Sequence, residues 1–213
     1  MNKILVGNIF AAVSDKSVLD PLLLVFDPKL VKFWGTEGTV EYLKSKDFSA
    51  FSVVAGFDFD GRVKSLDKLI FARILADRSK KSHLEELKRL THGVIARSIA
   101  TKQSIDRHVE FDSTRDDRDW KPYDLVVIDL YKPDPKNFPE SMDIGGQALI
   151  RAAIKNYKNV ALAFDEDSVR ELTVELQKND GSTTLAFRKK QALSAAGFIV
   201  ERCAFEAGLL QKL

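Results

Sequence analysis

The 213-residue sequence contains one cysteine, three histidines and almost no net charge. With Cys203 alone an internal disulfide is excluded, and nothing marks an oxidising compartment, so a structural thiol is expected. His83, His92 and His108 occupy a polar region without the spacing of a zinc motif, so we predict no metal. A formal charge of +2 argues against a large nucleic-acid footprint, and any anion site must therefore be local.

Long hydrophobic runs are also absent. No segment approaches the ~20 apolar residues that a membrane span requires. The opening MNKILVGNIFAAVSD is too short and too soon followed by charge to be a signal peptide, so we expect a cytoplasmic protein without a membrane partner. The 45% apolar and 30% charged composition is typical of a globular protein, and the length fits one domain over residues 1–213.

Short apolar runs alternate with periodic, amphipathic segments along the chain. The runs predict strands at NIFAAV, LVKFW, DLVVIDLY and NVALAF, and a strand followed by a loop at SVVAGFDFDG. The periodic segments predict helices and are SVLDPLLLVF, GTVEYLKSK, RVKSLDKLIFARILA, HLEELKRL, GQALIRAAIKN, DSVRELTVELQK and STTLAFRKKQALSAAG. This alternation predicts an α/β fold with a doubly wound, mostly parallel sheet and helices on both faces.

One segment, residues 101–122, breaks this alternation because it is polar, dense in charge and poor in core residues. The elements on either side belong to the same predicted sheet, so we interpret the segment as a surface excursion. A solvated insertion is favoured over a lid.

Chemistry-bearing residues follow the predicted strands, where ligands of open parallel sheets collect. Ser14, Lys16, Thr36, Gly38 and Thr39 suit a phosphate, because glycine and hydroxyl groups let backbone amides approach and lysine adds charge. The alternative is that they are ordinary helix caps.

Three other residues have ordinary interpretations when each is taken alone. Tyr131 would be a strand-boundary residue, Lys64 a solvated side chain and Asp143 a helix N-cap. Their common place at one edge of one sheet favours a shared site.

The motifs VSDK, GTEGT, GRVKSL, DLVVIDLY, MDIGGQALIRAAIKN and TLAFRKKQAL resemble, in order and approximate spacing, the IMP cyclohydrolase domain of the bifunctional purine-biosynthesis enzyme. The resemblance runs from about residue 8 to about residue 200, apart from the polar segment 101–122. It implies a methylglyoxal synthase-like fold and closure of the last purine ring without cofactor or metal. Because the formyltransferase domain of that enzyme has no counterpart here, it implies a stand-alone cyclohydrolase.

The resemblance also implies a set of site residues. The catalytic positions fall on Lys64, Tyr131, Asp143 and Lys155, and the substrate-binding positions on Ser14, Lys16, Thr36, Gly38, Thr39, Arg62, Ser65, Asp129, Gly145 and Gly146. The implied partner is a small purine ribonucleotide, with no nucleic acid and no membrane, and a homodimer is left open. Methylglyoxal synthase chemistry and a non-catalytic nucleotide-sensing module are the alternatives on the same fold.

The sequence departs from the family pattern at three places. Asp129 stands where the family has asparagine, Glu37 lies within the phosphate loop, and Asp67 and Lys68 replace a His-Pro pair. A carboxylate at Glu37 would repel a phosphate unless it points to solvent or meets a lysine.

Catalysis by both Asp143 and Lys155 sets a geometric condition. In one straight helix the two residues would be about 18 Å apart. We therefore predict that Gly145 and Gly146 turn the backbone before the helix begins, so that Asp143 folds back.

Overall fold

The computed structural model describes residues 2–53, 65–90 and 121–212. Arg62 and Lys64, two of the predicted site residues, lie outside the described residues. The polar segment lies outside them from residue 101 to residue 120. No helix within the described ranges is long and apolar enough to cross a membrane.

Among the described residues, five parallel strands form the central sheet, and two short antiparallel strands form a second, separate sheet. The strands are β1 (Lys3–Leu5), β2 (Asn8–Ala12), β3 (Lys32–Gly35), β4 (Ser49–Ser52), β5 (Leu125–Ile128), β6 (Ala161–Ala163) and β7 (Ser182–Thr184). The order in the central sheet is β4-β3-β2-β5-β6, and β1 pairs with β7. All four residues of β5 are buried, as expected for a strand covered on both faces.

Helices cover both faces of the sheet, which confirms the predicted doubly wound α/β fold. They are α1 (Asp20–Leu23), α2 (Glu37–Ser45), α3 (Lys68–Leu75), α4 (described for residues 81–90), α5 (Ile144–Lys155), α6 (Glu166–Lys178) and α7 (Leu185–Leu210). One apolar core joins the sheet to α1, α2 and α6, and the other joins it to α3, α5 and α7.

Three predicted helices and one predicted strand differ from those observed. The helix predicted from residue 62 begins at Lys68, after its N-cap Asp67. The strand predicted at the start of segment 52–61 lies earlier, as β4, and residues 54–61 of that segment lie outside the described residues. The segment 17–26 is split into a 3-10 turn, Lys16–Leu19, and the short α1, because Pro21 lacks the amide that a continuous helix would need. In the segment 182–197 the first three residues form β7, and the helix that follows extends to Leu210. Pairing of β7 with β1, at the other end of the chain, could not be predicted from local periodicity.

The strand order reverses between β2 and β5, because β2 continues to β3 on one side and β5 lies on the other. Loops leaving these two strands diverge to opposite faces and leave a crevice at their carboxyl ends. The predicted site residues after both strands lie at this edge.

Candidate active site

A cavity of about 540 Å³ occupies the crevice at the carboxyl ends of β2 and β5. The N-terminus of α5 closes one side of it. Eight predicted site residues line it, namely Ser14, Thr36, Ser65, Asp129, Tyr131, Asp143, Gly145 and Gly146. The structure therefore brings together residues that are up to 132 positions apart in the chain.

Asp143 is the N-cap of α5, as its ordinary interpretation predicted, and it also lines the cavity. Its Oδ1 accepts a hydrogen bond from the Gly146 amide at 2.7 Å. Burial raises the pKa of the Asp143 carboxyl above its ordinary value of 3.8, and the Asp129 carboxylate raises it further. The Gly146 amide and Arg202 lower this pKa, but burial is the largest effect.

Gly145 and Gly146 lie inside α5, so the predicted turn before the helix is wrong. At both positions, side chains of other residues occupy the space in which a Cβ would lie. A Cβ at Gly145 would lie 2.1 Å from Ser65 Oγ, and one at Gly146 would lie 2.3 Å from Leu130 Cδ2. The Gly-Gly pair thus allows Ser65 and Leu130 to pack directly against the first turn of α5.

We expect Gly146→Ala to disturb the site, because the added Cβ would also lie 2.6 Å from Asp143 Oδ2. Overpacking of this kind costs about 1–3 kcal/mol of unfolding free energy. Urea denaturation measures that loss. Gly197→Ala is the matched control, because nothing lies within 4 Å of a Cβ at this helical position. It should stabilise α7 by up to about 1 kcal/mol, and equal effects of the two substitutions would contradict the packing role of Gly146.

Lys155 does not meet the geometric condition for a catalytic role. It is the last residue of α5, which runs without interruption from Ile144, and its side chain is exposed. The rise of an α-helix places it about 18 Å from Asp143. Within this chain the assignment of Lys155 to the same reacting group as Asp143 is therefore wrong.

Tyr131 lies just beyond β5, lines the cavity and is 45% exposed. Burial of the phenol raises its pKa above 10.0, and the charge of Asp143 raises it further. The phenol is consequently protonated at neutral pH and available as a hydrogen-bond donor.

Asp129 organises the loop that follows β2. Its Oδ2 accepts hydrogen bonds from Ser14 Oγ at 2.7 Å and from the Asp15 amide at 3.1 Å. An asparagine oxygen could accept the same two bonds, so the departure from the family pattern changes the charge of the site and keeps its connections.

The predicted phosphate segments meet next to Ser14. Thr39 is fully buried, and its hydroxyl lies 3.2 Å from Thr36 Oγ1 and 3.4 Å from the Val13 amide, so its role is structural. Lys16 Nζ donates to the Ser14 carbonyl at 3.0 Å, and Lys16 Cε would lie 3.7 Å from a Cβ at Gly38.

Glu37, at the start of α2, is exposed and meets the condition that it points to solvent.

Sequence reasoning missed two groups of residues around the cavity. Pro139, Glu140 and Met142 form a wall between Tyr131 and α5. Arg202 and Glu206 lie behind the site on α7, where Arg202 contacts the Tyr131 segment and Glu206 contacts α5. A signal for the second group was present, because Ile199, Arg202, Glu206 and Leu209 follow the helical spacing of a core-facing stripe.

No family model matches the chain. The bifunctional purine biosynthesis protein PurH of Cereibacter sphaeroides is 32% identical over 206 residues, which cover 91% of this chain and 34% of that protein. PurH of Clostridium kluyveri is 31% identical over 200 residues, covering 88% of this chain and 34% of that protein. The chain thus spans about a third of the length of these relatives.

A solved structure confirms the fold at the level of architecture. The crystal structure of ForH superposes with a TM-score of 0.66 and covers 97% of both chains at 23% sequence identity. At this identity the likeness shows the fold alone. The sequence comparisons confirm the resemblance inferred from the motifs. Over most of its length, this chain is related to a segment that makes up about one third of each bifunctional PurH protein.

Proposed function

We propose that this chain acts in purine biosynthesis as an IMP cyclohydrolase, closing 5-formamidoimidazole-4-carboxamide ribonucleotide to inosine monophosphate. The observation that carries the proposal is that Tyr131, Asp143 and Ser65 line one cavity in a chain related to PurH. Ser65 directly follows Lys64, the residue to which the resemblance assigns oxyanion stabilisation.

The reaction joins two groups of one molecule and releases water. The carboxamide nitrogen attacks the formyl carbon, a C–N bond forms, and the formyl C–O bond then breaks. The leaving oxygen carries away one hydrogen from each of the two nitrogens. Because amide nitrogen is a poor nucleophile, holding the reactive rotamer is a large part of catalysis, worth on the order of 7–11 kcal/mol.

Asp143 is the proposed acceptor of the carboxamide proton. Its Oδ1 is held by the Gly146 amide, which fixes the carboxylate at the cavity wall. Among the described residues no hydrogen bond to Oδ2 is formed, and we assign this oxygen to the contact with the substrate. The raised pKa of Asp143 makes it a stronger base than an ordinary aspartate.

Tyr131 is the proposed donor to the developing oxyanion or the leaving hydroxide. Its raised pKa keeps the phenol protonated at neutral pH. Lys64 would add positive charge at the same oxygen, as the resemblance implies. With this assignment the Asp143 carboxylate removes a proton, and the Tyr131 phenol and the Lys64 ammonium stabilise the oxygen.

The ribose phosphate is proposed to lie near Ser14 and Thr36, which line the cavity next to the start of α2. The first amides of a helix have no partner within it, and they favour an anion. Lys16 is adjacent, and its Nζ, which donates to the Val13 and Ser14 carbonyls, could move to the phosphate. The anchor and the reacting groups would then occupy one continuous cavity.

Incubation with the formamido ribonucleotide, followed by chromatography for inosine monophosphate, tests the proposal. Turnover at an enzymatic rate supports it. Tight binding without turnover would instead indicate a nucleotide-sensing module. Release of phosphate from a triose phosphate would indicate methylglyoxal synthase chemistry, and either of these two results would overturn the proposal.

A further inference from the structure

Arg202 connects α7 to the chain segment that carries Tyr131. Its Nη1 donates to the Tyr131 carbonyl at 2.9 Å, and its Nη2 lies 3.4 Å from the Leu130 carbonyl. These carbonyls come directly after Asp129, where the chain leaves β5 and enters the cavity wall. One planar guanidinium thus contacts two consecutive main-chain groups.

Phe198 and Glu206 flank Arg202 on α7, one turn to either side. The guanidinium lies 5.6 Å from the centre of the Phe198 ring, one turn earlier on α7. One turn later, the buried Glu206 accepts a hydrogen bond from Gln147 Nε2 at 2.7 Å. Gln147 lies one turn after Asp143 on α5, so α7 is tied to the helix that carries Asp143 and to the segment that carries Tyr131.

We propose that Arg202 is a positioning residue of the site, which fixes the main chain at Leu130 and Tyr131 and thereby sets the phenol relative to the Asp143 carboxylate. The described residues that line the cavity do not include Arg202, so it acts through Tyr131 and by its charge. Its effect on turnover rests on the proposed function. Its effect on the geometry can be measured in the ligand-free protein.

The electrostatics of the site agree with this placement. Within residues 2–53, 65–90 and 121–212, the charged or titratable groups around the cavity and behind Asp143 are Asp129, Tyr131, Glu140, Arg202 and Glu206. Arg202 lowers the pKa of Asp143, whereas burial and Asp129 raise it. Removal of the guanidinium should therefore make the carboxylate harder to ionise.

Arg202→Met tests the proposal through two pKa values that should move in opposite directions. We expect the pKa of Asp143 to rise, because a nearby positive charge is lost. We expect the pKa of Tyr131 to fall towards 10.0, because a released phenol moves into water and away from Asp143. Titration of carboxyl and phenol carbons by ¹³C NMR measures both values without substrate.

Arg202→Lys separates charge from geometry. The ammonium keeps the positive charge, so the pKa of Asp143 should stay near that of the parent. It lacks the planar pair of donors, so the pKa of Tyr131 should still fall.

Arg170→Met is the matched control, because Arg170 is exposed on α6 and pairs with Glu166 and Asp167. It should leave both pKa values unchanged.

Kinetics give an independent reading. A small displacement of a catalytic group can cost about 100-fold in rate, so kcat of Arg202→Met should fall by about that factor with little change in KM.

A folded Arg202→Met variant in which the pKa values of Asp143 and Tyr131 both equal those of the parent would overturn the proposal. If Arg202→Met does not fold, Arg202→Lys decides, and a parent-like Tyr131 pKa would overturn it. A parent without turnover would refute the proposed function and leave the NMR test intact.

Discussion

Asp143→Asn is expected to reduce kcat/KM by about 10²- to 10⁴-fold, the usual contribution of a general base. The amide is nearly the same size as the carboxylate, and its oxygen can accept the Gly146 hydrogen bond that now ends on Oδ1. Asparagine also caps helices about as well as aspartate. The substitution therefore removes the base and keeps the local structure.

The pH dependence of the parent provides a second test of Asp143. As the pH is lowered, the enzyme should lose activity when the Asp143 carboxylate becomes protonated. Because the pKa of Asp143 is raised, this loss should occur at a pH above 3.8. Stability should change in the opposite sense, because a carboxylate with a raised folded pKa costs stability as the pH rises from 3.8 through that folded value. Asp143→Asn should lose the acidic limb of the activity profile and show no loss of unfolding free energy at pH 7.

Asp143→Ala is the comparison that separates the two roles of Asp143. It should lose as much activity as Asp143→Asn and, in addition, about 0.5–2 kcal/mol of stability with the helix cap. Urea denaturation and initial rates of both variants measure the two effects. An Asp143→Asn enzyme with an activity close to that of the parent would remove Asp143 from the chemistry.

Most of the central sheet could be predicted because its inner strands are short, continuous apolar runs, as in β5, where every residue is buried. The edge strand β4 was placed too late in the chain, because its residues Ser49–Ser52 are only partly apolar. Strands β1 and β7 could not be predicted, because each has three residues and pairs with a partner from the far end of the chain. Only the folded chain brings Lys3 opposite Thr184. Local patterns therefore predict the parallel strands of the core and miss the antiparallel pairing of β1 with β7.

The site was predicted where strand ends supplied the residues, as for Ser14, Asp129 and Tyr131. The Gly-Gly pair was misinterpreted because glycine has two uses, and sequence alone does not distinguish backbone freedom from close approach. At Gly145 the structure shows close approach, since Ser65 occupies the space that a Cβ would take. Helix geometry then excluded Lys155, which motif matching alone had included.

Arg202 and Glu206 show a different limit. Their positions on the core-facing stripe of α7 could have marked them as unusual, since charges on such a stripe need partners. Their partners, however, are Gln147 and the carbonyls of Leu130 and Tyr131, which come from other elements. A periodic pattern identifies a buried charge but not the group that it contacts.

Lys64→Ala is the second substitution with a large expected effect, about 10²- to 10³-fold in kcat, the cost of removing one oxyanion donor. The side chain lies outside the described residues, so its role rests on the resemblance and on its neighbour Ser65, which lines the cavity and packs on Gly145. If Lys64 acts only on charge that develops during ring closure, kcat should fall while affinity for inosine monophosphate changes little. Single-turnover rates and calorimetry measure these two quantities separately.

Lys68→Ala is the matched control for Lys64→Ala, because Lys68 is exposed at the start of α3, four positions along the chain. It removes the same charge and the same atoms from a solvated position, so both kcat and affinity should stay close to those of the parent. Equal losses in the two variants would indicate a general effect of positive charge on substrate binding. A Lys64→Ala enzyme that loses affinity as strongly as turnover would place Lys64 at the phosphate, and the oxyanion would then be left to Tyr131.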